Sequence, residues 1–455
     1  MRHIVWQLLV VSSLFLSGHA GAATRPQYGG TIHVMTRIAP TSLDPLDATQ
    51  PDSIARRNLT NLLFDSLVLI DDFGRVKPAL ALSWEAEPGN QRWRFWLRSG
   101  VNFDDGTPLT PALVAASLRS ANPSWNVSAV DNSVFVALPS SDPAFPVKLA
   151  LARNDIVKRT PANISGTGPF HISAWQPGKT LTVVANENYW AGGPFLDSVQ
   201  IDFGNTYRDQ SVALELNKAD VVEIAPEQAK RPSMAGQHLV ISEPFELMAI
   251  LFRRDPQSPE DGKLRRALAL SIDRTSIKNV LLQGTGEPSG AILPNWMTGY
   301  AFMFPAEGNI DKAREQRIEV AQAPVWTIGF DPGDPLGQLI AERVALNGRD
   351  AGIPIQTSSA GSADLSIVRV QPASFNPQTA LSSVCGAVAL PAPDFSNESE
   401  AALYQAENAI LQTQRIIPLF HLPLNYGVST KVKGFELRRD GSWQLSNTWV
   451  ASEIQ

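Results

Sequence analysis

Cysteine and histidine are scarce in this sequence. The 455 residues contain one cysteine, Cys385, so no disulfide forms within the chain. Its surroundings, LSSVCGAVAL, predict a small buried side chain. Of the six histidines, the four after residue 22 stand at 33, 171, 238 and 421, without the spacing of metal ligands. We therefore expect no metal site and no cofactor.

The motifs of common catalytic sites are also missing. The sequence contains no HExxH, GxSxG, GxxxxGK or CxxC, and GTGEPSG at 284–290 has the wrong spacing for a dinucleotide-binding loop. Asp104 and Asp105 are adjacent acids in a turn, where carboxylates usually face solvent. We expect a binding protein and not an enzyme. A hydrolase with two carboxylates across a pocket stays the alternative, although the sequence indicates no such pair.

Neither strong basic charge nor a long apolar run is present. The formal net charge is −6, whereas a nucleic-acid binder usually carries a strong positive charge on its binding surface. The apolar run from Ile4 to Leu16 is too short to span a bilayer. It follows Arg2 and precedes the small-residue site Ala20-Gly21-Ala22, which predicts a secretory signal peptide over 1–22 and a periplasmic mature chain. No cysteine follows this run, so no lipid anchor is expected.

The hydrophobic pattern predicts both strands and helices along the whole chain. RWRFWLRSGVNF alternates, with Trp93, Phe95 and Leu97 on one face of a half-buried strand and Trp96 stacked on arginines of the other. In TPALVAASLRSA, Thr110 precedes a proline, which predicts the start of a helix. The run DGKLRRALALSIDRTSIKNVLLQG predicts one long helix over 261–284, capped by its first aspartate and its last glycine.

Several stretches resemble, in order, the exported solute-binding proteins of peptide, nickel and opine ABC importers, often called family 5. The opening YGGTIHV and PTSLDP, the segment FDSLVLIDDFGRVKPALALSWE, and WRFWLRSGVNFDDGTPLT are similar to family motifs. GTGPF, ANENYW, LRRALALSIDR and IIPLFH follow in the family order. Each motif by itself is modest evidence, but together they span most of the mature chain.

The resemblance implies an α/β protein of two lobes, similar to class II periplasmic binding proteins, with an inserted subdomain and a hinge. The first lobe would comprise 23–63, 167–254 and 420–455, the subdomain 64–166, and a shortened second lobe 255–419. Such a protein would bind a small or peptide-like solute between its lobes and deliver it to an inner-membrane permease and ATPase. We expect a monomer that binds no nucleic acid.

The resemblance also points to a departure in the ligand-binding loop. In peptide-binding members an aspartate of this loop binds the α-amino group of the ligand. Alignment on Pro377 and Leu381 places Ala373 there. Leaving a buried ammonium without its carboxylate costs roughly 2–5 kcal/mol, so we expect weak binding of peptides with a free amino terminus. Alternatively, the alignment shifts and Asp364 or Asp394 takes this role.

Further contacts with a ligand are expected on both sides of the cleft. Arg369 would meet a carboxylate or phosphate, with a solvent-facing side chain as the alternative. Trp296, in a loop rich in proline and glycine, is expected to stack on a ligand at the mouth of the pocket. For the remaining candidates, core packing or a turn is the alternative role; they are Thr41, Phe245, Leu247, Met248, Gln371, Phe375, Asn425 and Tyr426. A scaffold or sensor with a filled cleft is the alternative to transport.

Overall fold

The computed structural model describes residues 25–47, 54–160, 163–229, 237–359, 362–395, 397 and 399–451, and the predicted signal peptide lies outside them. The strands are β1 Thr31–Met35, β2 Val68–Ile70, β3 Val76–Pro78, β4 Ala81–Ala86, β5 Arg92–Leu97, β6 Asn126–Val130, β7 Ser133–Ala137, β8 Lys158–Arg159, β9 Ile164–Ser165, β10 Phe170–Gln176, β11 Thr180–Ala185, β12 Ser198–Asp202, β13 Val221–Ile224, β14 Gln237–Ile241, β15 Glu246–Phe252, β16 Glu287–Pro288, β17 Trp326–Gly329, β18 Ile355–Ser358, β19 Leu365–Val370, β20 Ile416–Leu422, β21 Asn425–Ser429, β22 Val432–Lys433, β23 Glu436–Leu437, β24 Trp443–Gln444 and β25 Trp449–Val450.

Helices accompany these strands throughout the described part of the chain. They are α1 Ile54–Leu63, α2 Pro111–Ala121, α3 Phe145–Leu149, α4 Tyr207–Glu215, α5 Pro259–Ser271, α6 Arg274–Ser276, α7 Asn295–Thr298, α8 Ile310–Ile318, α9 Pro335–Asp350, α10 Pro377–Ala387 and α11 Glu400–Gln412. Single 3-10 turns cover Ala152–Asn154, Pro226–Gln228 and Ala301–Met303, and Ile277–Leu281 forms a π-helical turn.

The first large sheet has seven strands in the order β10-β11-β12-β1-β13-β21-β14. Its central strand, β1, runs parallel to both neighbours, and the remaining pairs are antiparallel. Apolar residues of the strands pack with α1 and with the C-terminal segment around Phe435 and Trp443. The sheet thus combines segments from the start, the middle and the end of the chain.

The second large sheet has six strands in the order β16-β20-β15-β19-β17-β18. In β15, side chains alternate between two cores, so Leu247 belongs to one and Met248 to the other. Both residues are fully buried. A strand apolar on both faces is typical of the centre of a covered sheet.

A separate antiparallel sheet, β4-β5-β7-β6, lies between α1 and β10 in the chain. Trp93, Phe95 and Leu97 are buried in its core, as their alternation predicts. The guanidinium of Arg94 lies 4.6 Å from the Trp96 ring, which confirms the predicted stacking on the other face. Thr110 caps α2, as predicted, by accepting from the Leu113 N–H at 3.3 Å.

The GTGPF motif is explained by a close approach of two segments. A Cβ at Gly166 would lie 1.9 Å from the carbonyl oxygen of Leu63, and one at Gly168 would lie 2.5 Å from the Leu63 carbonyl carbon. Any side chain at either position would push the end of α1 away. Glycine is therefore required where the backbone passes this close.

The prediction of one helix over 261–284 is wrong. Helix α5 begins earlier, because Ser258 caps it and Pro259 occupies its first position. It ends at Ser271, since Ile272 adopts an extended backbone with ψ of 114°. Asp273 then starts α6 by accepting from the Ser276 N–H at 2.9 Å. Asp273, a polar residue inside the predicted helix, therefore caps the start of a second helix.

Candidate functional site

A cavity of about 340 Å³ lies where the three sheet units meet. Arg57 and Asn61 of α1 form one wall, and the segment 150–155 beside the four-stranded sheet forms another. The loop Ala373–Phe375, which follows β19 of the second sheet, closes a third side together with residues 438–442. The volume falls within the range of small-molecule pockets.

Ala373 and Phe375 are the two predicted site residues that line this cavity. The Ala373 N–H donates to Ser383 Oγ at 2.9 Å, which fixes the loop on α10. The Phe375 ring lies 5.9 Å from Phe245 and 6.3 Å from Trp296, centroid to centroid. Phe245, Trp296 and Phe375 therefore form an aromatic cluster. Phe375 is its member that lines the cavity.

An ion pair and its hydrogen bonds join the cavity walls. Arg57 lies 3.4 Å from Asp440 and donates to the Pro372 carbonyl at 2.9 Å. Asp440 also accepts from the Ser442 N–H at 2.9 Å and from its hydroxyl at 2.6 Å. Because Arg57 belongs to α1 and Pro372 follows the second sheet, this arginine connects the two units.

Asp65 places a carboxylate in the wall without a lysine or arginine in ion-pair distance among the described residues. It accepts from Thr167 Oγ1 at 2.9 Å, Tyr189 OH at 3.0 Å and Trp190 Nε1 at 2.9 Å. Burial raises the pKa of Asp65, although the three donors oppose this shift. Three separate motifs of the sequence, FDSL, GTGPF and NYW, thus meet at one side chain.

A second, smaller cavity of about 30 Å³ lies between the two large sheets. Its lining includes Tyr207, Glu223, Arg369, Asn425 and Tyr426. Three predicted residues, Arg369, Asn425 and Tyr426, therefore come together here. Asn425 is 3% exposed, and neither atom of its amide has a hydrogen-bond partner among the described residues. The volume corresponds to about one water molecule.

Arg369 does not face solvent, which removes the alternative stated for it. It donates to Glu246 through Nε at 2.7 Å and through a second nitrogen, and lies 3.5 Å from Asp334. Burial alone would lower the pKa of Arg369, but Glu246, Tyr207 and Asp334 outweigh it and raise the pKa. With two carboxylates already bound, the predicted contact with an anionic ligand stays a prediction.

Sequence reasoning missed Glu246, Asp334, Arg57 and Asp65. Glu246 had a signal in the sequence, because it is an acid at the start of the apolar strand ELMAILF. In the structure it is only 8% exposed. Asp334 and Asp65 stand among ordinary turn and helix-end residues. Their partners are distant in the chain, so only the fold reveals their roles.

The other predicted residues line neither cavity. Trp296 packs on Phe245 at 5.7 Å and donates from Nε1 to the Pro244 carbonyl at 2.8 Å, so it stands behind Phe375. Gln371 joins the units by accepting from the Ile54 N–H at 2.6 Å. Leu247 and Met248 lie in the two cores described above, and Thr41 is exposed. The alternative acid Asp364 accepts from the Thr327 N–H at 2.8 Å, and neither it nor Asp394 lines either of the two cavities.

Within the described ranges, no group of three or more histidine, cysteine, aspartate or glutamate side chains is arranged to hold a metal ion. None of the helices described there combines the length and the apolar character that crossing a membrane requires. Cys385 is fully buried, as its surroundings predict.

The model of bacterial extracellular solute-binding proteins, family 5 Middle, matches residues 75–363. The chain belongs to this family. Among curated relatives, it is 25% identical over 297 residues to the probable D,D-dipeptide-binding periplasmic protein DdpA of Escherichia coli K12. That match covers 58% of this chain and 57% of DdpA. The chain therefore matches little more than half of the length of this relative.

Solved structures of this family match most of the chain. The binding protein AgaA of A. tumefaciens R10, in complex with agropinic acid, superposes with a TM-score of 0.77 at 19% identity, covering 93% of this chain and 99% of AgaA. A dipeptide-binding protein of Pseudoalteromonas sp. SM9913, in complex with Met-Leu, gives 0.77 at 16% identity, covering 92% and 100%. At such identities the match shows the fold alone. The predicted two-lobe α/β binding-protein fold is confirmed.

Proposed function

We propose that this protein is the periplasmic substrate-binding subunit of an ABC importer. It binds a small solute in the 340 Å³ cavity and delivers it to an inner-membrane permease with its ATPase. The cavity carries this proposal, because it lies at the junction of the three sheet units. A site at such a junction assembles and opens as the units move. No bond in the solute is made or broken in this proposal.

The lobes follow the two large sheets in our proposal. Strands β15 and β20 belong to the second sheet, and β14 and β21 belong to the first. We therefore place the crossings between the lobes at 242–246 and 422–425. The predicted limits differ from these, since 254/255 puts β15 in the first lobe and 419/420 divides β20. The subdomain of 64–166 contains the four-stranded sheet. These crossings are the hinge, and the protein acts as a monomer.

Names of relatives support the cellular place of this function. DdpA is named as a probable D,D-dipeptide-binding periplasmic protein. Together with the signal peptide expected over 1–22, this supports export to the periplasm. The scaffold alternative predicts a filled cleft, and the volume of the cavity argues against it.

Native purification tests the proposal. The mature chain is purified without denaturant, unfolded, and any released molecule is identified by mass spectrometry. We expect a small solute in a ratio approaching one per chain. Adding it back at 100 times its Kd should raise the free energy of unfolding by ~2.7 kcal/mol. The matched control is Ala152→Trp, which places a large side chain in the cavity. This variant should no longer retain the solute. A chain that never binds a small molecule would contradict the proposal.

A further inference from the structure

The charged side chains of the large cavity are already occupied by partners within the chain. Five such residues line it, and they are Arg57, Asp65, Asp155, Arg438 and Asp440. Arg57 and Asp440 form one ion pair across two walls. A ligand with its own charge would compete for groups that the fold uses to hold the walls together.

Arg438 is engaged on three sides. Its Nε lies 2.9 Å from Asp72, a second nitrogen donates to the Ile70 carbonyl, and its guanidinium lies 4.8 Å from the Phe375 ring. These contacts pair the charge of the side chain with Asp72 and use two of its five N–H donors. An anionic ligand would share the charge of Arg438 with Asp72, which weakens what this side chain offers to a carboxylate or phosphate.

The acids of the cavity offer equally little to a cation. Asp65 is bound by three neutral donors, and burial raises its pKa, which favours the uncharged form. Asp155 is 8% exposed and has a partner within the chain. At the position of the ligand loop, Ala373 adds no charge. The cavity therefore has no carboxylate that is both accessible and free to pair with an ammonium group.

Neutral hydrogen-bonding and aromatic groups are available instead. Asn61 lines the cavity and is exposed, and its side-chain amide has no bond to another described residue. Phe375, Tyr189 and Trp190 contribute aromatic surface. An amide and aromatic surface recognise uncharged polar groups through directed hydrogen bonds and apolar contact.

We propose that this cavity selects an uncharged solute with amide or hydroxyl groups, of a size that 340 Å³ admits. This inference rests on the proposed binding function and specifies its ligand class. The physical reason is that a buried charge without a partner is costly, whereas a neutral polar group needs only hydrogen bonds. A charged relative of the true ligand should bind at least ~30-fold more weakly.

Four forms of one dipeptide test the ligand class. The probes are Met-Leu, N-acetyl-Met-Leu, Met-Leu-amide and N-acetyl-Met-Leu-amide, which are zwitterionic, anionic, cationic and neutral at pH 7. Binding is measured by isothermal titration at two salt concentrations. We expect the neutral form to bind at least ~30-fold more tightly than each charged form, with little dependence on salt. A charged form that binds as tightly as the neutral one would overturn the inference.

A substitution in the cavity wall provides a second test, in which an added charge should increase the affinity for a charged probe. Ala373→Asp adds an unpaired carboxylate to the cavity, so Met-Leu-amide should gain at least ~10-fold in affinity and the neutral form should gain nothing. Ser382→Asp makes the same change of net charge on the exposed side of α10 and should alter neither affinity. An equal effect of the two substitutions would overturn the inference.

The two proposals fail in distinguishable ways. If a charged molecule is released from the native protein, or a charged probe binds best, the binding function stands and the ligand class is wrong. If no molecule is released and all four probes fail to bind, both proposals are overturned.

Discussion

Single residues in this protein bring opposite charges together at buried positions. Arg369 is the clearest case, because its side chain is 16% exposed and pairs with the Glu246 side chain, which is 10% exposed. The pattern of the sequence suggested a ligand contact, but the structure gives the arginine two carboxylates. Removing one partner of a buried ion pair is strongly destabilising, because it leaves the other charge buried without compensation.

Arg369→Met should lower the free energy of unfolding by about 3–5 kcal/mol, because it leaves two buried carboxylates without their cation. The measurement is urea denaturation at pH 7. Glu246→Leu combined with Arg369→Met should recover part of the loss, because Asp334 still lacks its cation. Arg92→Met is the matched control, since its pair with Glu87 is nearly half exposed and should contribute less than about 1 kcal/mol. A loss at Arg369 no larger than at Arg92 would contradict this assignment.

His421 predicts a dependence of stability on pH. Burial lowers its pKa to about 4, and the bond to the Ile292 carbonyl at 3.0 Å offsets only part of this. The unfolded chain binds a proton near pH 6.5, so between 6.5 and 4 only the unfolded state is protonated. The free energy of unfolding should therefore fall by about 1.4 kcal/mol per pH unit as pH decreases through this window.

His421→Gln removes this titration and keeps a donor toward Ile292. Between pH 7 and pH 4, the wild type should lose roughly 3 kcal/mol more than the variant. The comparison of the two chains is needed because raised pKa values, such as that of Glu407, contribute the opposite slope. Parallel stability curves for the two chains would show that His421 does not titrate in this way.

At the scale of elements, a buried acid organises the segment that leads to α7. Glu407 of α11 is fully buried and accepts from the Ile292 N–H at 2.6 Å, the Leu293 N–H at 3.0 Å and Tyr300 OH at 2.8 Å. Burial raises its pKa, and the three donors oppose this. The segment leads directly into α7, which carries Trp296, so the acid helps to position the aromatic cluster behind the cavity.

Glu407→Ala should lower the free energy of unfolding by about 3 kcal/mol or more, because it leaves buried donors without an acceptor. Hydrogen exchange at the Ile292 and Leu293 amides should accelerate at the same time. Tyr300→Phe removes one donor together with its bond and should cost about 1 kcal/mol. If the alanine variant is no less stable than the phenylalanine variant, Glu407 does not organise the segment.

Helix boundaries show what sequence patterns resolve at this scale. The apolar repeat correctly indicated a helix around Leu264 and Leu268, but not its ends. Ser258 and Asp273 both carry oxygen acceptors suited to a helix start, and each caps a helix. The helical spacing of apolar residues continues through Asp273, so this spacing alone does not show where the helix ends. The backbone break at Ile272 decides the end.

For the whole molecule, contacts between the units determine how closely the lobes approach. Arg37 follows β1 and donates to the Gly333 carbonyl at 3.0 Å, next to the second sheet. Arg439 lies 4.1 Å from the Trp296 ring and 3.8 Å from Glu243. In our proposal these contacts favour a closed arrangement and are broken when the lobes open.

Arg439→Ala should shift the equilibrium toward the open arrangement by about 2- to 30-fold, since a cation–π contact contributes about 0.5–2 kcal/mol. Small-angle X-ray scattering of the ligand-free protein should record a larger radius of gyration. Arg208→Ala, on the exposed side of α4, is the control and should leave the scattering unchanged. An unchanged radius for both variants would count against a role of Arg439 in closure.

The sequence by itself determined the family, the α/β class and the strands whose side chains alternate, because these follow from local pattern and motif order. It also indicated Ala373 and Phe375, which line the cavity. Only the tertiary structure decided which charges meet. Arg57 with Asp440 and Arg369 with Glu246 are separated by 383 and 123 positions in the chain. Electrostatic pairing depends on distance in space and on burial, and neither is encoded in the spacing of residues along the chain.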